Sequence, residues 1–443
     1  MAQSKIEELS IFDLIETQYK TYSRYVLEFR AIPSVIDGLK PVHRRAMWIA
    51  KGLAKDNYIK VSKLAGAAMS IHPHGNTSIE DAITGMAQPF AGANNIIWFE
   101  GKGAFGSRIT GPGKGIGAAR YVSVKLSDNF FKIMDVDSDI IEKCPNYDET
   151  EQEPVNFLPI VPSILLNPTH GIAVGFACTI LPRKLSDILE CQKLHLKGKD
   201  FKEPPVHYEG YTGKITHVEG DIWKSEGVFE RLGKKKIVIT EVPIGVNREG
   251  FVNLLDSLED KDIITSYTDD CTDIFKFSIN LKNEMADDAI INVFKLTSLH
   301  HENINVIDFN GKIRKMTVKE IIKEFTDYRF GLYINRYKKM GRDAKKIYSF
   351  KLDLLKVIKK QLFKKFPQHT KKEIEALLLE NGINEINIAK IIQVPIYRFG
   401  KDEIEKLEKD VAELKEKLTG LISLCKDEML RKKEYYRELK NIS

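Results

Sequence analysis

Apolar residues near the C-terminus step by three and four without a break. Ile404, Leu407, Val411, Leu414, Leu418, Leu421 and Cys425 make three heptads of an a/d seam, which predicts a long helix with one buried stripe. Met340, Ile347, Phe350, Leu354 and Val357 supply a matching stripe upstream, so the two segments are expected to pair antiparallel. Between them HTKKEIEALLLENGINEINIAKIIQVPIYRFG reads as a compact helical knob, about 366–402. Either the pair is an arm with a contact surface at its tip, or it is an ordinary hairpin packed on the body. Heptads specify pairing but not its purpose.

Other periods mark the rest of the chain. KKKIVITEVP (Lys234–Pro243) and IFKFSINLK (Ile274–Lys282) alternate like strands. Ile79, Ile83 and Met86 give the segment after His74 a helical apolar face. MAQSKIEELSIFDLIETQYK mixes both charge signs and reads as an amphipathic helix. These textures divide the chain into an N-terminal arm (1–28), a segment of short helices with a glycine-rich loop (29–155), an α/β segment (156–317) and a charged helical segment (318–443).

Composition narrows the class without naming a function. The 443 residues are 43% hydrophobic and 29% charged, as in a soluble globular protein of several domains. A net charge of +6 is compatible with nucleic acid but not diagnostic. The five cysteines form no CxxC pair, which argues against a zinc site or a disulfide framework. With no signal peptide and no long apolar run, a reducing cytoplasm is the expected compartment and no membrane is expected as partner.

Candidate chemistry gathers in three places. FEGKGAFGSRITGPGKGIGAARYVSVKLS (Phe99–Ser127) carries seven glycines from Gly101 to Gly117 and the cations Lys102, Arg108, Lys114 and Arg120, and it ends its loop on Tyr121. Small residues let a backbone approach phosphate closely. A tyrosine hydroxyl, with a free pKa near 10, is a poor nucleophile unless a neighbouring cation stabilises the phenolate and the attacked phosphate. The alternative is a flexible basic loop running into a strand whose Tyr121 packs in the core. FRAIPSVIDGLKPVHRRAMWIAKGLAK (Phe29–Lys55) puts Pro41 at the first turn of a helix bearing His43, Arg44, Arg45, Trp48 and Lys51. Lys40 and Arg44, four apart, could share a phosphate-facing side, unless this is simply a solvated basic helix. IHPHGNTSIEDAITGMAQ (Ile71–Gln88) sets His72 and His74 before a helix that Asn76, Thr77 or Ser78 could cap, and two helices so joined fit a helix-turn-helix or winged-helix arrangement. The histidines can donate to phosphate or act as general acid or base, and an H-x-H pair alone is weak evidence for metal. MDVDSD (Met134–Asp139) reads as a solvated acidic turn.

In order, AIPSVIDGLKPVHRR, HPHGNTSIEDAI, MAQPF, EGKGAFGS, AARY and LLNPTHGIAVGFACTILP resemble the breakage-reunion subunit of type IIA DNA topoisomerases, over roughly residues 10–430. The family comprises gyrase A, the C subunit of topoisomerase IV and the C-terminal half of eukaryotic topoisomerase II. FLPIVPSILLNP and QVPIYRFGKDEIEKL are similar to its phage and eukaryotic forms. The resemblance implies an α+β multidomain fold: a winged-helix DNA-gate domain, an α/β tower, and a long antiparallel coiled coil with a globular helical C-gate.

Carried over residue by residue, the resemblance makes Tyr121 the nucleophile that forms a 5′-phosphotyrosyl bond, with Arg120 on the scissile phosphate. It places Arg30, Arg45, His72 and His74 around the same pocket. Lys40, His43, Arg44, Arg45 and Lys102 would contact DNA, and Ile172 would wedge between base pairs. Thr77 and Asp81 match positions where quinolone-type drugs are sensed. The sequence departs from bacterial members at Asn76, where aspartate is usual, and at Lys102, where glutamine is common. No acidic metal-binding module and no ATP-binding motif are recognisable, so Mg²⁺ and ATP are expected on a partner ATPase/TOPRIM subunit and no metal in this chain. The implied assembly is a homodimer within a heterotetramer or larger complex on double-stranded DNA. Such an enzyme would work in the cytoplasm of its cell, or of a host cell if the chain is phage-encoded.

Overall fold

The computed structural model describes residues 10–173, 175–399 and 401–442. The first nine residues of the expected N-terminal helix lie outside them. The chain divides into two compact units, one reaching to Asp327 and including the last residues from Leu439, the other Tyr328–Glu438.

In the first unit a helical stretch opens the description, with α turns at Ile11–Asp13 and Lys20–Val26 and wider π turns at Leu14–Tyr19 and Leu27–Ala31. Three helices follow: α1 (Pro41–Leu53), α2 (Val61–Ala68) and α3 (Asn76–Gly85). Pro41 takes the first turn of α1, where its missing N–H costs nothing. Gly75, rather than Asn76, Thr77 or Ser78, occupies the N-cap of α3, and the Ser78 hydroxyl instead donates to the Gly75 carbonyl at 2.7 Å. A small antiparallel sheet flanks the helices, with β3 (Ser123–Leu126) between β1 (Ile59–Lys60) and β2 (Phe99–Lys102). Phe99, Val124 and Leu126 face the core.

The carboxylate of Asp37 is the hub of this region. It is fully buried and accepts from Arg44 Nε (2.6 Å) and Nη2 (2.9 Å), and from the Leu39 (3.1 Å) and Phe157 (3.0 Å) amides. The Ser163 hydroxyl donates to the Asp37 carbonyl at 2.8 Å. The turn before α1, α1 itself and the Phe157–Ser163 segment are thereby tied together.

Farther along, β4 (Thr169–Ile172) and β5 (Ala177–Ile180) form a hairpin, and α4 (Leu185–Leu196) follows. Next come β6 (Lys214–Glu219), β7 (Ile222–Glu226), β8 (Val228–Gly233), β9 (Lys236–Glu241), α5 (Arg248–Asp260), β10 (Ile264–Asp269), β11 (Phe277–Leu281) and β12 (Thr297–His301). They build a four-stranded sheet in the order β8-β9-β11-β10 and a three-stranded sheet in the order β12-β7-β6. Both expected strands are central to the first sheet, and Ile237, Ile239, Phe277 and Ile279 bury against Phe251 and Leu255 of α5. Every strand pairing within these two sheets is antiparallel, so the expected α/β texture is corrected to α+β. Links as short as those between β6 and β7 and between β8 and β9 allow hairpins but no parallel crossover.

In the second unit the long helix α6 (Val318–Lys359) meets α9 (Lys401–Lys426) and α10 (Glu428–Asn441). The Lys351–Asp410 (2.5 Å) and Arg336–Glu438 (2.5 Å) ion pairs run in opposite senses along the helices, which makes the pairing antiparallel. Phe350, Leu354, Val357, Ile404 and Leu407 share one apolar cluster with α7 (Lys371–Glu380) and α8 (Glu385–Ile392). Met340 and Ile347, expected in the seam, are exposed.

Asp37→Ala should destabilise the first unit by about 3–5 kcal/mol, because it leaves the buried Arg44 guanidinium uncompensated. A thermal-unfolding midpoint unchanged from wild type would contradict this role for Asp37.

Candidate functional site

The loop between β2 and β3 carries Arg120 and Tyr121, and its path is fixed from inside. Gln88 is buried and grips both limbs: its Nε2 donates to the Phe105 carbonyl at 2.8 Å, and its Oε1 accepts from the Gly113 amide at 2.9 Å. Gly106 has φ +74°, and a Cβ there would meet the Lys114 carbonyl oxygen at 2.2 Å, so only glycine lets the limbs close. Arg108 anchors the base of the loop to the β9–α5 connection. Its guanidinium donates to Glu241 Oε1 (3.0 Å) and to the carbonyls of Val242 (2.8 Å) and Val246 (2.9 Å).

At the loop's end the Tyr121 amide bonds the Ala118 carbonyl at 2.8 Å, and the Lys60 ammonium donates to the Tyr121 carbonyl at 2.7 Å. Tyr121 is 67% exposed, which excludes the core-packed alternative. The Arg120 guanidinium lies 4.9 Å from the centre of the Tyr121 ring. A cation over the ring face is held by the ring quadrupole.

A second cluster joins Arg30, Arg45, His72 and His74. Arg45 Nη1 lies 3.0 Å from His72 Nδ1, and Arg30 Nη2 lies 3.0 Å from His74 Nδ1. The imidazoles meet edge to face, with centroids 4.9 Å apart. Two members had no sequence signal. Tyr25 places its hydroxyl 2.8 Å from His74 Nε2, and Glu153 binds Arg45 through both carboxylate oxygens. Tyr25 comes from the N-terminal helical stretch and Glu153 from a short strand, Gln152–Pro154, both distant in sequence from the histidines. Among the described residues no hydrogen bond, ion pair or ring contact joins this cluster to Arg120 or Tyr121.

The charges in the cluster select neutral histidines. Burial first, then the positive charge of Arg45, the nearby His74 and the positive charge of Arg30, lowers His72 to about 4. Burial and the neighbouring Lys40, Arg44 and His72 lower His43 to about 3. His74 is lowered by burial and by Arg30 and Arg45. At neutral pH such rings are uncharged and can accept hydrogen bonds from arginine.

Of the residues expected to grip DNA, Arg44 is buried on Asp37 and does not share an open face with Lys40. The Lys40 ammonium donates to the His170 carbonyl at 2.6 Å, and burial lowers its pKa. Lys40 and His43 line a cleft of about 220 Å³ with Trp98, Asn167 and Thr169. Lys102 is exposed, and so are Thr77 and Asp81, four apart on α3. Ile172 projects from the β4–β5 hairpin at 88% exposure, so it is not a buried strand residue. The hairpin sits against the Arg30 segment, since a Cβ on Gly171 would fall 2.1 Å from the Ala31 carbonyl oxygen.

The acidic turn at Met134–Asp139 is not simply solvated. Lys51 donates to Asp135 (2.6 Å) and to Ser138, and Asp137 is buried. Among the described residues no group of three or more His, Cys, Asp or Glu is gathered as a metal site, and no helix is long and apolar enough to cross a membrane.

Family model, sequence and fold all point to the same relatives. Residues 30–440 match the family model for the A subunit of DNA gyrase and topoisomerase IV. The chain is 30% identical to the DNA topoisomerase medium subunit of Enterobacteria phage T4, over 91% of this chain and 93% of that one. It is 29% identical to the A subunit of DNA topoisomerase 4 from Rickettsia prowazekii over 81% of this chain, and spans 52% of that longer relative. Its fold is similar to the DNA-binding, cleavage and re-ligation domain of Plasmodium falciparum topoisomerase II, with a TM-score of 0.82 and 24% identity, covering 98% of this chain and 65% of that one.

The depressed histidines set a pH dependence. Unfolded histidine titrates near 6.5, so between about 6.5 and 4 the unfolded chain binds protons that folded His43 and His72 refuse. Stability therefore rises with pH through this window and is lost as pH falls. Urea melts at pH 7 and pH 5 should show this loss, and a His43→Asn/His72→Asn variant should show less of it. Equal pH sensitivity in variant and wild type would remove these histidines from the account.

Proposed function

Because the chain belongs to the family of DNA gyrase and topoisomerase IV A subunits, within the type II DNA topoisomerases, we propose that it is the DNA breakage-reunion subunit of such an enzyme, with Tyr121 as nucleophile. The observation that carries the reading is an exposed tyrosine with an arginine stacked on its ring, at the end of a loop fixed by buried side chains.

In the proposed reaction the Tyr121 oxygen attacks a backbone phosphorus. The P–O3′ bond breaks as the P–O(Tyr) bond forms, the tyrosyl proton is lost to a base, and the departing 3′ oxygen takes up a proton from that base or from water to leave as a hydroxyl. The count of phosphodiester bonds is unchanged, so resealing by the 3′-hydroxyl needs no energy input. Arg120 stabilises the charge that develops on the phosphate. The neutral His72 and His74, held by Arg45 and Arg30, would hydrogen-bond phosphate oxygens rather than take up the tyrosyl proton, because both are lowered below the ordinary histidine value. Ile172 is placed to unstack a base step, which costs a few kcal/mol and is offset by contacts along bent DNA. By the family resemblance Mg²⁺ and ATP would be held by a partner subunit; when bound, the metal would supply Lewis-acid stabilisation of phosphate oxygens.

Several finer features belong to the same proposal. α1–α3 with the β1-β3-β2 sheet form the winged-helix domain (29–155), the antiparallel sheets of 156–317 the tower, and 318–443 a coiled coil whose knob (366–402) is a dimer contact. Two copies would each cut one strand of a duplex, opening a gate for a second duplex. Relaxation or decatenation follows from such passage.

Covalent capture with the partner subunit, Mg²⁺ and end-labelled duplex tests this. Detergent quenching should trap protein on 5′ ends in wild type and none in Tyr121→Phe, while Arg120→Ala should slow adduct formation about 10²–10³-fold. A wild-type chain that bends DNA but never forms an adduct would instead mark a non-catalytic architectural protein.

A further inference from the structure

The open face of the three-stranded sheet beside Tyr121 carries a charge pattern of which only Lys102 was expected, by resemblance, to contact DNA. Register puts Lys60 of β1 and Lys102 of β2 on either side of Ser123 in β3, as one cross-strand row. The next row sets Glu100 of β2 opposite Lys125 of β3. Tyr58, just before β1, lies against the same face. The Lys102 and Lys125 ammonium groups stand 5.9 Å and 5.5 Å from its ring centre, and its hydroxyl donates to Glu100 at 3.3 Å. The opposite face of the sheet is core, with Phe99, Val124 and Leu126 buried, so the polar face is the one open to solvent.

Charge on this face is unevenly spent. Lys125 is paired with Glu100 at 2.9 Å. Among the described residues Lys102 has the Tyr58 ring as partner and no carboxylate. Lys60 makes one hydrogen bond among them, to the Tyr121 carbonyl, which leaves two of its three N–H donors for a ligand. Two cations without carboxylate partners thus flank a hydroxyl-bearing strand residue, and one of them touches the residue that carries the proposed nucleophile. Lys60 and Lys102 stand two strands apart, about 10 Å, which suits successive anions along a chain better than a single ion.

We infer that Lys60 and Lys102, with Ser123 between them, form a binding site for the phosphodiester backbone of the strand that Tyr121 attacks. Tyr58 supplies a flat surface at its end. Lys60 has two tasks: it holds a neighbouring phosphate, and through the Tyr121 carbonyl it fixes the nucleophile's backbone relative to that phosphate. It is a positioning residue, whereas Lys102 only binds. This rests on the breakage-reunion reading, and its test keeps the two separable.

The first arm measures binding of end-labelled duplex across a salt series by full-length Tyr121→Phe chain reconstituted with its partner subunit. Lys60→Ala and Lys102→Ala should each reduce the slope of log affinity against log salt by about 1 per protomer, and Lys60→Arg should keep it. Both side chains are exposed, so unchanged thermal midpoints are expected. The second arm restores Tyr121 and measures adduct formation against DNA concentration. Lys102→Ala should raise the DNA needed for half-maximal rate and leave the saturated rate intact. Lys60→Ala should also lower the saturated rate, and Lys60→Arg should recover it. Unchanged salt slopes in both alanine variants would overturn the site. Altered slopes with equal saturated rates would overturn the positioning task of Lys60. A wild-type enzyme that forms no adduct, yet shows the altered slopes, would sink the breakage-reunion reading and leave the backbone site standing.

Discussion

A single buried carboxylate holds the functional region in place. Asp37 has no exposure to solvent, and a charge in that position is stable only if its hydrogen-bonding capacity is used. Four donors use it, from α1, from the turn before α1 and from Phe157. Arg44 is drawn inward by this contact, and its neighbour Arg45 is thereby turned toward His72 and Glu153. An ion pair that looks purely structural thus sets the orientation of the cationic helix. The basic run of α1 divides into one arginine that builds the fold and one that builds the site.

The two halves of the candidate site are rigid for different reasons. The histidine cluster is stiffened by charge: arginines hold the imidazoles, and burial together with the same positive field keeps them neutral. The tyrosine loop is stiffened by amide and guanidinium contacts from Gln88 and Arg108, which leave its tip exposed. Rigid support beneath an exposed reactive group is what covalent chemistry requires, because a nucleophile must be aligned before it meets its substrate.

Much of this was legible in the sequence, and the misses have physical causes. The heptad seam of α9 and the alternation in β9 and β11 are read directly, because Ile404 and Leu407, Ile237 and Ile239, and Phe277 and Ile279 each pack one side of their element into a core cluster. Order and spacing of the glycine-rich and histidine motifs carried the family, which residues 30–440 match. Burial of Arg44 was not legible, since its partner Asp37 is set by a turn and not by helical spacing. Met340 and Ile347 fit the apolar period yet stay exposed, because a period shows which face is apolar and not how far along the helix a partner covers it. Tyr25, Glu153 and Lys60 reach their places through contacts distant in sequence, and nothing in their local context marks them.

The central claim is that one tyrosine, at one loop tip, becomes joined to DNA. The most direct measurement is to locate the bond itself. The assembled enzyme would be trapped on DNA, digested with nuclease and then with trypsin, and the nucleotide-bearing peptide identified by mass spectrometry. The account predicts a 5′-nucleotide phosphate on the peptide containing Tyr121 and on no other. A nucleotide on any of the other tyrosines, or on a serine, would contradict it.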